Sequence, residues 1–419
     1  MMPRLRPLSA MLLSGAFACG SESTRPREPA PAPSLKSGTE IVAPSASADA
    51  GTSASSSADA GVAVQTSSAV SDVLELPGDP CRPTTATSSL LQGPGAGGLT
   101  FDQAGIAGTR RFAFDSASLA FLTFASDGSS VSAPIYRDLA ALAGSAAGGL
   151  QGLAIDEASN LISVSFDAQG NETGTPIQLA GPGSEGHALA VGPESSLAVW
   201  CSNKELQGAL LAPTGESLSS FSLGKLSCGD DGARPAALWT EPNFTVVWSR
   251  IVHAGTSAVS WAALDASGSV LATRTVLARA EQLELAAVSA LADRSLALLV
   301  SEGFPAQSPL LLFLDAFGHP RATAYRLLGA VEPWSLASQG AQVGVAARSS
   351  DERAVFRAIS SAGEALAPWV CLDDAAPGTK FTPRAALFAD TAGYGVVARR
   401  SDGSAAYFST DDQGSAQAP

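Results

Sequence analysis

The chain has 419 residues, enough for two or three average domains or a single large one. Only 15% of residues are charged, with 39 acids against 25 bases and a formal net charge of -14. That balance repels polyanions, and no basic stripe interleaved with aromatics occurs, so nucleic acid is excluded as a partner.

The chain begins MMPRLRPLSAMLLSGAFAC. Arg4 and Arg6 form a positive n-region, and Leu8 to Phe17 an apolar core too short to anchor as a membrane span. Ala16-Phe17-Ala18 offers a small-residue cleavage site, and Cys19 follows it directly. This resembles the lipobox of bacterial lipoproteins, which implies residues 1–18 as signal peptide and a lipid on Cys19. Ala16 stands where that family usually has Leu. Gly20 after the Cys implies the outer membrane, facing the periplasm or the surface. The rival reading is ordinary cleavage after Ala18 and a secreted protein. The lipid is then the sole membrane attachment, since no other segment holds eighteen uninterrupted apolar residues.

Residues 19–73 are read as a linker after the lipidated Cys. It is rich in Ser, Ala, Pro, Gly, Thr and Asp, with SADAG at Ser47–Gly51 and again at Ser57–Gly61. Such composition buries too little apolar surface to offset ordering entropy, so a disordered tether is expected. Four further cysteines, Cys81, Cys201, Cys228 and Cys371, permit three pairings in an oxidising compartment. Cys201–Cys228 within one unit and Cys81–Cys371 across the domain ends is the preferred pairing; four free buried thiols is the alternative.

Residues 74–419 show short apolar runs punctuated by turn residues. An apolar-Asp-x-x-Gly turn recurs as Phe166–Gly170, Leu264–Gly268 and Leu314–Gly318, with weaker copies elsewhere. The turn glycines fall at 128, 170, 215, 268, 318, 363 and 414. Independently, small apolar strands recur as Ala198–Ser202, Val246–Arg250, Leu298–Glu302, Val345–Ser349 and Val396–Arg400. Both landmarks return after about fifty residues. The clearest unit reads as four strands, Ala236–Trp239, Phe244–Arg250, Ser257–Asp265 and Val270–Leu277. We therefore expect an all-β fold, a β-propeller of about seven four-stranded blades, with six or eight as alternatives. The chain resembles bacterial β-propeller lipoproteins over about residues 95–415, although no named blade motif occurs. A segment near Thr84–Phe101 is expected to complete the last blade and close the ring. Ala278–Asp293 has helix propensity but its position predicts a loop and inner strand, and Arg137–Ala147 reads as a short helical excursion.

No catalytic constellation emerges. His187, His253 and His319 have no paired ligand and read as solvated loop residues; no zinc or calcium spacing and no nucleophile elbow occurs, so neither metal nor cofactor is expected. The six tryptophans read as packing between blades. Arg250, Arg348, Arg399 and Arg400 follow the recurring strand and are read as a rim able to dock an anion or acidic partner, or as solvated strand ends. The expected function is a non-catalytic, envelope-anchored binding or scaffold protein, a monomer presenting its surface to a protein or glycan. The alternatives are a secreted propeller enzyme of lactonase, lyase or glycosidase type, or a structural component of an envelope assembly.

Overall fold

The computed structural model describes residues 65–66, 70, 72–83, 89–90, 103–115, 120–125, 129, 135–136, 138–145, 148–225, 228, 234–253, 256–279, 282–303, 309–372, 385–390, 393–399 and 405–411. All regular structure in them is β, arranged as seven four-stranded blades in a propeller ring. Blade 1 comprises Gln103–Ala107, Arg110–Asp115, Ala120–Phe124 and Ile135–Tyr136. Blade 2 comprises Leu139–Gly144, Leu150–Ile155, Leu161–Phe166 and Glu172–Ala180, and blade 3 Glu185–Val191, Ser196–Ser202, Glu205–Leu211 and Ser217–Lys225. Blade 4 follows with Pro235–Thr240, Asn243–His253, Thr256–Leu264 and Val270–Arg279, all four overlapping the predicted strands. Blade 5 holds Leu283–Ala290, Leu296–Glu302, Leu310–Leu314 and Pro320–Leu327, and blade 6 Ala330–Gln339, Gln342–Ser349, Ala354–Ser360 and Val370–Cys371. Blade 7 contributes Ala385–Asp390, Gly393–Arg399 and Ala405–Thr410.

The first strands converge on the axis, each touching those of both neighbouring blades, and blade 7 meets blade 1. Crowding there favours small residues, which explains why LAALAG and LELAAVSA are strands despite their alanines. Leu283–Ala290 is the expected inner strand. Arg137–Ala147 departs from its helical expectation: Leu139–Gly144 is extended because the axis admits a thin strand and no helix. Second strands are buried on both sides. In Asn243–His253, Val246 and Trp248 pack toward blade 3, while Val247 packs toward blade 5. A strand covered on both faces cannot show apolar–polar alternation, hence runs such as SLAVWCS. Seven apolar clusters result, one in each seam between blades.

The recurring Asp-x-x-Gly turn joins third and fourth strands. Asp265 Oδ1 accepts hydrogen bonds from the backbone N–H of Ser267 and Ser269, each at 2.9 Å, and Asp315 Oδ1 does the same for Phe317 and His319. The turn also docks on the preceding blade. Gly318 of blade 5 lies on the Trp261 ring of blade 4, and the Tyr325 hydroxyl of blade 5 donates to Ala362 O of blade 6 at 2.7 Å.

Four short strands precede blade 1. β1 (Gln65–Thr66), β2 (Asp72–Leu76) and β3 (Arg82–Pro83) add in parallel to the outer edges of blades 4, 5 and 6. β4 (Ser89–Leu90) then pairs antiparallel with Ala406–Tyr407 as the fourth strand of blade 7, inside the segment expected to close the ring. β1 and the start of β2, which precede residue 74, thus pair with the sheets. An exposed sheet edge offers unpaired backbone groups, which an extended segment satisfies whatever its side chains. Arg357, 3% exposed, donates from Nη1 to Pro77 O at 2.6 Å and from Nε to Ala367 O at 2.8 Å, and stacks over Trp369. Disulfides join Cys81 to Cys371 (Cα–Cα 5.2 Å) and Cys201 to Cys228 (5.9 Å), the preferred pairing. Two such bonds point to an oxidising, exported environment.

Two stability measurements check this account. Gly318→Ala meets both a positive φ of 77° and the Trp261 ring, whereas Gly340 (φ 61°) has open space around it. Urea unfolding should show losses of about 3 kcal/mol and about 1 kcal/mol respectively. Chain-entropy reasoning assigns about 5.7 kcal/mol to the 290-residue loop closed by Cys81–Cys371 and about 3.5 kcal/mol to the 27-residue loop of Cys201–Cys228. Removing each pair by Cys→Ser should lower the midpoint in that order.

Candidate functional site

Alternating strand direction brings the start of every first strand and the end of every second strand to the same end of the ring. A cavity of about 540 Å³ opens there, among the first strands of blades 1 to 5. Its polar lining is Gln103, Asp138, His187 and Arg234, set among Leu139, Ala140, Ile155, Pro235, Ala236 and Leu285. Gln103 and His187 are placed by first strands, and Asp138 and Arg234 by the residue immediately before one. His187, Pro235 and Ala287 each stand thirteen residues before the strand landmark of their blade, Trp200, Trp248 and Val300. All three line the cavity.

His187 is thus not a solvated loop residue. It sits on the first strand of blade 3, with Nε2 3.2 Å from Ser184 Oγ. Burial lowers its pKa to about 4, so the ring is neutral at physiological pH. His319 does belong to an exposed turn, its Nδ1 2.9 Å from Asp315 Oδ2. Repetition held the signal for His187, through its fixed offset from Trp200, but the residue type alone did not.

Of the arginines read as a rim, Arg250, Arg348 and Arg399 occupy the mouth end of second strands, in three different blades. Arg348 of blade 6 pairs with Glu332 at 3.0 Å, and Arg399 of blade 7 is engaged as well. Arg250 of blade 4 is half-buried, and burial lowers its pKa. Arg400 and Cys19 lie outside the described residues. Blade 5 carries Glu302 at the corresponding position, 6% exposed and bridged by Arg326 at 2.8 Å and by Arg279 of blade 4 at 3.5 Å. Arg234 and Glu284 form a 2.5 Å ion pair across the blade 4–5 seam beside the cavity. Both of those side chains are exposed, so the pair orients more than it stabilises. Among the described residues no group of three His, Cys, Asp or Glu is placed to hold a metal. A smaller cavity of about 230 Å³ lies beside Cys81, Asp351 and Trp369.

No protein-family model matches the chain, and no curated protein matches it in sequence. Solved structures do share its architecture. Hydrazine synthase of Kuenenia stuttgartiensis aligns with a TM-score of 0.55 at 10% identity, over 76% of this chain and 97% of that one. The likeness is one of fold. A prolyl endopeptidase structure aligns at 0.50 with 14% identity, over 76% of this chain and only 48% of its own length. The β-propeller domain of the Trilobed protease from Pyrococcus furiosus aligns at 0.46 with 9% identity, over 74% of this chain and 94% of that domain. At such identities, chemistry does not transfer.

The buried imidazole gives a pH signature. The unfolded chain takes up this proton near pH 6.5, the folded chain only near 4. Stability should therefore fall as the pH drops from 6.5 toward 4, by up to about 3 kcal/mol. Hydrogen bonds from Ser267 and Asn171 hold the carboxyls of Asp265 and Asp167 low, so those groups titrate below this window. Urea midpoints for His187→Gln should lose the difference between pH 7 and pH 4.5 that the parent shows.

Proposed function

We propose that this protein is a non-catalytic binding or scaffold protein of the bacterial envelope, receiving a protein or glycan partner at the mouth of its axial channel. In this reading Cys19 carries the lipid, the Ser/Ala/Pro-rich segment gives reach, and the monomeric propeller displays the mouth. β1 runs toward the mouth, so its N-terminal end, the end nearer Cys19 in sequence, points away from it. The cavity is the observation that carries the reading. Donors and acceptors from Gln103, Asp138, Arg234 and neutral His187 are interspersed with apolar Leu139, Ile155 and Leu285. Such a lining suits hydroxyls, amides and sugar faces. Inner strands hold it rigidly, so binding involves little ordering cost.

The test is retention of a defined envelope protein or glycan by the immobilised mature chain. Ala140→Trp fills the mouth and should weaken retention by at least about tenfold. Leu218→Ser, at the far end of the outermost strand of blade 3, should leave it unchanged. Equal retention by both variants would refute a docking role for the mouth.

A further inference from the structure

The axial cavity carries a charge that its own lining leaves unanswered. In blades 2 to 6 the first strand has a charged residue at or beside its mouth end: Asp138, Glu185, Arg234, Glu284 and Glu332 in turn. Arg234 pairs with Glu284, and Glu332 with Arg348, so both of those acids are met. Among the described residues no cation pairs with Asp138 or Glu185, which stand on the adjacent blades 2 and 3. Asp138 is exposed and lines the cavity; Glu185 begins the strand that brings His187 to it. Arg250, Arg348 and Arg399 lie on second strands and are not part of that lining.

The rest of the wall limits what kind of cation fits. Leu139, Ile155, Pro235 and Leu285 make it aliphatic, and the described lining includes no Phe, Tyr or Trp. An aromatic box is what a quaternary ammonium needs, and an aromatic face is the platform on which a sugar ring stacks. An aliphatic wall instead packs against an alkyl stem, and Lys and Arg join such a stem to a positive end. His187 is neutral at physiological pH and adds no repulsion. At long range the net charge of -14 favours the approach of a basic partner. About 540 Å³ is ample for one extended side chain with its flanking backbone.

We propose that the axial cavity receives one basic side chain of a protein partner, its charged end at Asp138 and its alkyl stem along the aliphatic wall. This rests on the docking role of the mouth and names what docks there. Asp138 supplies the selectivity, and the wall supplies contact that a neutral stem of the same length would share. The Arg234–Glu284 pair keeps the one basic group of the described lining occupied, so an acidic side chain finds no free cation in the cavity.

Methyl ¹H–¹³C spectra of the full mature chain report directly on Leu139, Ile155 and Leu285. The probes are the N-acetyl methylamides of lysine, arginine, norleucine and glutamate, with methyl glucoside as a neutral sugar. Lysine or arginine should shift these methyls saturably and bind about fivefold more tightly than norleucine, which keeps a stem and lacks the charge. The stronger of the two identifies the side chain. Asp138→Asn should erase that preference, leave norleucine as it was and melt with the parent, since no described group bonds the Asp138 side chain. Glu216→Gln, an exposed acid at the opposite end of blade 3, should change neither probe. Ala140→Trp should abolish the shifts altogether. No saturable shift with either basic probe, equal binding of norleucine, tighter binding of glutamate or the glucoside, or an unchanged preference in Asp138→Asn would each overturn the assignment. Any of these leaves the mouth's docking role to be judged separately, by retention of an envelope partner on the parent and on Ala140→Trp.

Discussion

Every blade of this molecule has two apolar faces and cannot cover either by itself. The second strand of blade 4 sends Trp248 into one seam and Val247 into the next, so each sheet needs a neighbour on both sides. Only a closed circle meets that demand for all seven. The seam between blades 7 and 1 makes the point in energies. Opening it would expose Phe124, Phe388 and Tyr407, now packed within 6.4 Å of one another by ring centroid. At roughly 1.5–3 kcal/mol for each large side chain, those three alone come to roughly 5–9 kcal/mol, comparable with the whole net stability of a domain.

Closure at that seam explains the course of the N-terminal strands. β4 must reach blade 7, and the chain that delivers it runs along blades 4, 5 and 6, adding one parallel strand to each. Backbone pairing gives little side-chain specificity. Discrete fasteners provide it: the Cys81–Cys371 bond, Arg357 on Pro77 O, and Trp369 Nε1 donating to Leu328 O at 3.1 Å. The same closure makes the axial mouth rigid, since its lining residues belong to strands that brace one another around the circle. Under the proposed function, recognition there depends on which side chains point inward, not on loop adjustment.

What could be read in the sequence follows from how local the chemistry is. The Asp265 and Asp315 turns were legible because a short side chain bonding its own turn is a matter of five consecutive residues. The second strands were legible because burial on both faces leaves an unbroken apolar run. Crowding at the axis selects alanine, which also favours helices, so Leu139–Gly144 presented an ambiguous signal and read as helical. β1 and β2 left no signal, because parallel pairing of QT with residues 274–275 depends on an edge more than two hundred residues away. The arginines show a further limit. Their positions at strand ends were legible, but whether each meets an acid depends on the neighbouring strand: among the described residues Glu332 meets Arg348, and no acid meets Arg250.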